Sequence, residues 1–509
     1  MAGSTRDRAW RLALVVLLAA TLLTRIPFLS TVPFNGDSTH YLLGMERFDP
    51  VEARPHPPGY PLYVLAGKAL WIVVGDPHRA LVLLSVAASV VAVWAIVRLG
   101  SALGTRAVGL WAGVLLAVNP MFWLHGELAL SYSVEIAGAI LVALAAWGSY
   151  TRPSGRAAVW LALAFAVLGG FRPPVLVLLA PVYLFGLVRL GWRDRALAVG
   201  ITGAVVLAWL VPLVELSGGV ATYVEVARRQ GEIAGGQTSP LLGGDWAVWA
   251  SNISLFAVAL VGAVHVVPLV ALAAFVRRRP RRISARAALL WLWLAPALLT
   301  FVLVHFGQIG YILLPLPPML LLSLFAIEGA WPAQVASRRP ALVLVVCIVA
   351  SLWFASIALT TLQDNEAAWR QIRAALRTRP PEETLVLARV SGGGSFQAAA
   401  WVLQDLRVVG LTGSDEAARG ARYEAQGGQW SYQLDHPHPV CQVVALRGAR
   451  RVAVLDDLLA GWVPDPARWQ RIDLPNGEPL LLRDVPPGAT VVDLSRGTIE
   501  LAERDAATC

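Results

Sequence analysis

Residues 30–63, STVPFNGDSTHYLLGMERFDPVEARPHPPGYPLY, gather the side chains best suited to chemistry. Asn35-Gly36 reads as a turn that presents Asp37, and His40 to Met45 reads as a short interfacial helix behind it. From Arg54 to Pro61 the run RPHPPGYP cannot be regular helix. Proline removes donors, fixes φ and pushes each preceding residue toward extended geometry. A stiff turn of this kind would hold Arg54 and His56 near Asp37. A cation pair facing one carboxylate suits an anionic ligand beside a general base. The same residues also read as a rigid lead into an interfacial helix with solvated charges, and the residues alone leave both readings open.

The elements that must position this loop are membrane spans. Of 509 residues, 57% are hydrophobic and 15% charged, so long apolar runs have to face lipid. About eleven such runs occur, near 10–29, 79–98, 107–124, 130–149, 157–171, 174–190, 196–216, 248–275, 286–305, 310–330 and 340–361. The run 59–75 is short and interrupted by Pro61 and Lys68. Charge parity decides its place: if it does not span, 18 of the 26 basic residues before 364 fall on the N-terminal side. It is therefore expected in the interface, with the N-terminus cytoplasmic and the C-terminal part extracytoplasmic in a multi-pass plasma-membrane protein. Residues 1–363 carry 26 basic and 14 acidic groups (+12), whereas 364–509 carry 16 and 19 (−3). Excess arginine in a membrane region means cytoplasmic anchoring rather than nucleic-acid binding, and no basic patch interleaves with aromatics.

The expected organisation is a transmembrane domain over 1–363 and a soluble α/β domain over 364–509. Strand-like runs in the latter are Thr384–Val390, Leu406–Leu411, Arg451–Leu455 and Thr490–Leu494. Gly392-Gly393-Gly394-Ser395 follows a strand but lacks the Lys-Ser/Thr of a phosphate-binding loop, so it reads as a turn. Cys441 and Cys509 could pair in an oxidising compartment.

An aspartate just after the first span, followed by RPHPPGYPLY opening an interfacial helix, resembles the GT-C class of membrane glycosyltransferases. The branch containing protein O-mannosyltransferase-like and aminoarabinose-transferase-like enzymes is similar in architecture. The resemblance implies a GT-C-like helical bundle with a soluble C-terminal domain. It also implies an inverting transfer of a sugar from a polyprenyl-phosphate donor to an extracytoplasmic glycan, lipid or protein acceptor, in contact with membrane lipid. Asp37 matches the first-loop acid that acts as general base, and His56, with Arg54, stands where a basic residue meets the donor phosphate. Glu127, closing the run Asn119 to Glu127, matches a second outer-loop acid. Asp37 and Glu127 would then hold a divalent cation, magnesium or manganese, if one is used. Ser38 follows Asp37 where some members carry a second acid.

Other polar positions share the outer side. Tyr132 and Glu135 lie on one face beyond Glu127. Arg172, in the break FRPP, reads as a phosphate contact or as a snorkelling arginine. His305, Gln308 and Tyr311 form an outer turn resembling a late loop that holds the lipid-phosphate headgroup, with Gly310 where members often carry arginine. Residues 217–247 read as a lid or a solvated connector, with Arg228 and Arg229 as headgroup contacts. A multi-span transporter or lipid flippase without glycosyl-transfer chemistry is the rival reading, and a catalytically silent relative acting in assembly is a second. No internal repeat and no polar midplane residues favour transport.

Overall fold

The computed structural model describes residues 2–232, 239–264, 284–330, 339–390, 395–413, 418–427, 429–430 and 439–504. The basic run Arg277 to Arg282, the glycines Gly392 to Gly394 and Cys509 lie outside the described residues. The chain divides into two compact units: Met1–Leu29 with Tyr60–Leu359, and Ser30–Gly59 with Thr360–Cys509.

The first unit is helical. Its elements are α1 (Ala2–Leu23), α3 (Pro61–Val74), α4 (Pro77–Leu103), α5 (Arg106–Ala117), α6 (Pro120–His125), α7 (Tyr132–Thr151), α8 (Gly155–Phe171) and α9 (Val175–Leu187). They continue with α10 (Trp192–Leu216), α11 (Val220–Gly231), α12 (Trp246–Val264), α13 (Ala285–Leu303) and α14 (Leu316–Ala330). Among the described residues seven helices are long and apolar enough to cross a membrane, and shorter apolar helices fill in between them. Leu12, Val177, Leu207, Val258 and Trp353 leave large apolar side chains exposed, as lipid-facing helices require.

Sequence chemistry sets the helix starts. Asp76 accepts from Arg79 N at 2.6 Å with Pro77 at the first helical position, and Asn119 accepts from Phe122 N at 3.1 Å ahead of Pro120. Thr105 and Ser154 cap α5 and α8 in the same way. α4, α7 and α8 border an apolar groove of about 730 Å³, lined by Leu84, Val91, Trp94, Leu141, Trp160 and Phe171 among others. The interfacial candidate 59–75 forms α3, which packs on α4 and α8.

The second unit joins the first-loop segment, including α2 (Gly36–Glu46), to the soluble domain. α15 (Arg339–Leu376) begins in the first unit and ends in the second. The strands are β1 (Thr384–Arg389), β2 (Arg407–Thr412), β3 (Gly420–Gln426), β4 (Gln429–Trp430), β5 (Val443–Ala445), β6 (Arg451–Leu455), β7 (Gln470–Asp473), β8 (Pro479–Asp484), β9 (Val491–Asp493) and β10 (Glu500–Ala502), with α16 (Ser395–Val402) and α17 (Asp457–Ala460). One sheet has the order β4-β3-β2-β1-β6-β8-β7, and a second has β10-β9-β5. β1 runs parallel to β2 and β6, and the outer strands are antiparallel.

Strand alternation splits the core between the two faces. Val386 and Ala388 pack with Trp369, Ile372, Phe396 and Val32, while Leu385 and Leu387 pack with Val492, Trp462 and Trp469. Val32 comes from the first loop, so that loop is built into the soluble domain's core. Glu366 reinforces this: its carboxylate accepts from the Thr31 amide at 2.6 Å, from the Val32 amide at 3.2 Å and from the Thr31 hydroxyl.

Candidate functional site

Two polar centres stand out, one in each unit. In the second unit Asn35 caps α2, its side chain accepting from Ser38 N at 3.1 Å. The expected turn is therefore the helix cap itself, and it sets Asp37 in the first turn, where the helix dipole favours a carboxylate. Asp37 Oδ1 lies 3.9 Å from His56 Nδ1, with 28% of the Asp37 side chain exposed and 12% of that of His56. The His56 ring is edge-on to His40 at 5.3 Å and tilted against Tyr41 at 6.0 Å. Burial pulls the His40 imidazole down to about 3, with His56 adding to the effect and Asp37 opposing it.

The proline run is irregular, as its composition dictates. Arg54 is tied back to Asp49 by backbone hydrogen bonds of 2.7 and 2.8 Å. Its guanidinium Nε lies 3.3 Å from the Glu52 carboxylate, and burial holds its pKa below the usual arginine value against that partner. Arg47 also pairs with Glu52. Arg54 is thus engaged with acids of its own loop, whereas His56 faces Asp37.

In the first unit Arg172, at the end of α8, is buried rather than snorkelling. Its Nε lies 2.8 Å from Glu135 Oε2, and its Nη1 donates to Ser131 Oγ at 2.8 Å. Three tyrosine rings surround the guanidinium: Tyr132 at 4.6 Å, Tyr311 at 5.3 Å and Tyr60 at 5.8 Å. His125 meets Tyr132 edge-on at 5.1 Å, and His305 meets Tyr311 at 5.9 Å. Burial lowers the His305 pKa. Gln308 is the half-buried residue leading into the turn that carries Tyr311. Gly310 has a steric reason to be glycine: a Cβ there would lie 2.6 Å from Tyr132 and 2.7 Å from His125 Nε2.

Glu127 is fully buried, and both carboxylate oxygens lack a hydrogen-bond partner. Burial raises its pKa, opposed by the charge of Arg25. Gly126 lets that arginine in, since a Cβ there would lie 2.7 Å from Arg25 Nε. Ser85 Oγ holds the same loop by donating to Leu128 O at 2.8 Å and Leu130 O at 3.1 Å. No group of three or more His, Cys, Asp or Glu able to hold a metal ion occurs among the described residues. Arg228 and Arg229 of α11 pair with Glu225, and Arg228 also with Glu232, within the helix itself.

Sequence reasoning missed Arg25, Ser131 and Tyr60 as members of these centres. An arginine at the end of a span was a usable signal for the first, because a charge at that depth requires a partner.

No protein-family model matches the chain, and no curated protein matches it. Among solved structures, ArnT from Cupriavidus metallidurans bound to undecaprenyl phosphate aligns at 12% identity and TM-score 0.53, covering 92% of this chain and 97% of that one. Its apo state aligns at 13% identity and TM-score 0.53. The Archaeoglobus fulgidus oligosaccharyltransferase, in complex with zinc and sulfate, is similar at 15% identity and TM-score 0.47, and the chain spans 61% of its length. The mycobacterial arabinofuranosyltransferase AftD is similar at 19% identity and TM-score 0.46, over 30% of its length. The fold of this chain is therefore the GT-C type: a membrane helix bundle with a C-terminal β-sheet region.

Proposed function

We propose that the chain is an inverting membrane glycosyltransferase that moves a sugar from a polyprenyl-phosphate donor to an extracytoplasmic acceptor, with Asp37 as general base. The observation that carries this reading is the half-open Asp37 carboxylate at the start of α2, held 3.9 Å from His56. Asp37 takes the proton of an acceptor hydroxyl, and the hydroxyl oxygen bonds to the anomeric carbon. The bond from that carbon to the phosphate oxygen breaks, and its electron pair leaves with the phosphate. Direct displacement of this kind inverts the anomeric centre. His56, beside Asp37 in the same unit, stabilises the leaving phosphate. Arg54, engaged with Glu52, holds the turn.

The lipid donor has three supports. The similar ArnT structure holds undecaprenyl phosphate. The groove bordered by α4, α7 and α8 is lined by apolar side chains, the chemistry a prenyl tail requires. An extracytoplasmic reaction also lacks nucleotide sugars, and two features favour that location for the soluble domain: the arginine asymmetry, and Cys441, which is disulfide-bonded.

The test is transfer by membranes holding the protein, using a panel of polyprenyl-phosphate sugars and a crude cell-envelope acceptor. Protein-dependent transfer from at least one donor is expected. Facilitated movement of a lipid-linked sugar across vesicles, without transfer to any acceptor, would replace this reading with the transporter.

A further inference from the structure

The helical unit carries a charged cavity that glycosyl transfer does not use. α7 ends at Thr151 and α8 begins at Gly155, so residues 152–154 make a tight turn between them. At this turn lies an open cavity of about 300 Å³, lined by Gly148, Arg152, Ser154 and Arg156 among others. It adjoins the apolar groove of about 730 Å³, and Ala145 and Trp160 line both. Small residues of α7 make the room. Gly148 is one helical turn from Ala145 and one from Arg152, and a Cβ on it would meet no atom within 4 Å.

The cavity is positive. Among the described residues neither Arg152 nor Arg156 enters an ion pair. Ser154 Oγ accepts from Ala157 N at 3.3 Å, which leaves its hydroxyl proton for a ligand oxygen. The surrounding charge has the same sign. Arg189 lies over the Tyr150 ring at 4.3 Å, and Arg193 and Arg195 stand in the first turn of α10. Asp194 is the only acid from 145 to 200. It approaches Gly155, where a Cβ would lie 3.2 Å from its Oδ1, and it does not line the cavity.

We propose that this cavity binds an anionic phospholipid, its phosphate between Arg152 and Arg156 and its acyl chains running from Trp160 into the groove. A positive cavity opening on an apolar groove complements an amphiphile with an anionic head, and basic pockets between helix ends hold such headgroups. Trp160, 58% exposed, takes the place of an aromatic at headgroup level. The groove alone suits an acyl chain and a prenyl tail equally; the charged cavity separates them. The same charge parity that puts the first loop outside puts 152–156 inside, away from the side where a donor phosphate reacts. The 17 residues of α8, about 25 Å of helix, carry the groove from this cavity toward its other end. Phospholipid and prenyl tail therefore enter the groove from opposite ends. Phospholipid binding here is independent of glycosyl transfer.

Native mass spectrometry of the full chain in detergent, titrated with single lipids, tests this without turnover. The probes are phosphatidylglycerol, phosphatidylcholine with the same acyl chains, and undecaprenyl phosphate. Wild type should bind phosphatidylglycerol at least tenfold more tightly than phosphatidylcholine. Arg152→Gln with Arg156→Gln should remove that preference, at about fivefold for each arginine. Gly148→Leu fills the cavity without touching a charge or meeting a neighbour, so it should keep the melting temperature and lose phosphatidylglycerol to a similar extent. Arg193→Gln, at the same end of the bundle but outside the cavity, should change it less than twofold. Equal affinity of wild type for the two phospholipids would overturn the site. So would equal losses in Arg193→Gln and the double variant, which would show surface charge alone. Undecaprenyl phosphate binding more tightly than phosphatidylglycerol, and lost in the double variant, would give the cavity to a polyprenyl phosphate instead.

Discussion

The two polar centres differ in how far their charges are already satisfied. Arg172 and Glu135 meet at 2.8 Å with side chains 9% and 6% exposed, inside a ring of tyrosines. Asp37 and His56 stand 3.9 Å apart, and the carboxylate remains partly open. A closed pair fixes geometry and supplies a field; an open carboxylate can accept a proton from something that arrives. On this contrast the open Asp37 carboxylate suits proton transfer, and the closed Arg172–Glu135 pair suits fixing the structure of its own unit.

Substitutions sharpen the contrast in order of effect. Asp37→Asn should lower transfer by about 10²–10⁴-fold, the usual range for a general base, with the melting temperature unchanged. Arg172→Met should do the reverse in emphasis. It leaves Glu135 buried and uncompensated, a loss of about 3–5 kcal/mol, and Arg172→Met with Glu135→Leu should recover much of that stability. Thermal unfolding in detergent separates these cases, and a single variant as stable as wild type would show that the pair is not closed. Gly310→Ala should cost about 1–3 kcal/mol by overpacking Tyr132 and His125.

The smallest effect is a pH dependence. His40 is held neutral, its folded pKa near 3 against about 6.5 unfolded. The stability it contributes is complete above about 6.5 and declines as pH falls toward 3, because the unfolded chain binds the extra proton first. Wild type should therefore lose several degrees of melting temperature between about pH 7 and pH 5, and His40→Gln fewer. Parallel curves for the two proteins would remove His40 from the account.

What the sequence made legible follows from how local the physics was. Asn35, Asp37 and the proline run could be read because caps and prolines act on their neighbours. β1 and β6 could be read because buried parallel strands are continuous apolar runs. β7 was not anticipated, since Arg471 and Asp473 alternate with little hydrophobic signal. The pairing of Arg172 with Glu135, and the approach of the Arg25 charge to Glu127, depend on which helices pack together. The tie from Thr31 to Glu366 crosses 335 positions, and no local pattern announces that the first loop belongs to the soluble domain's core. Tyr132 and Glu135 were weighed only as outer-face residues, yet they frame Arg172.

Direct displacement at the anomeric carbon, with Asp37 activating the acceptor, is tested by proton NMR of the product formed from a polyprenyl-phosphate sugar of known anomeric configuration. Direct displacement gives the opposite configuration in the product. Retention would mean a covalent or front-face route and would contradict the role given to Asp37.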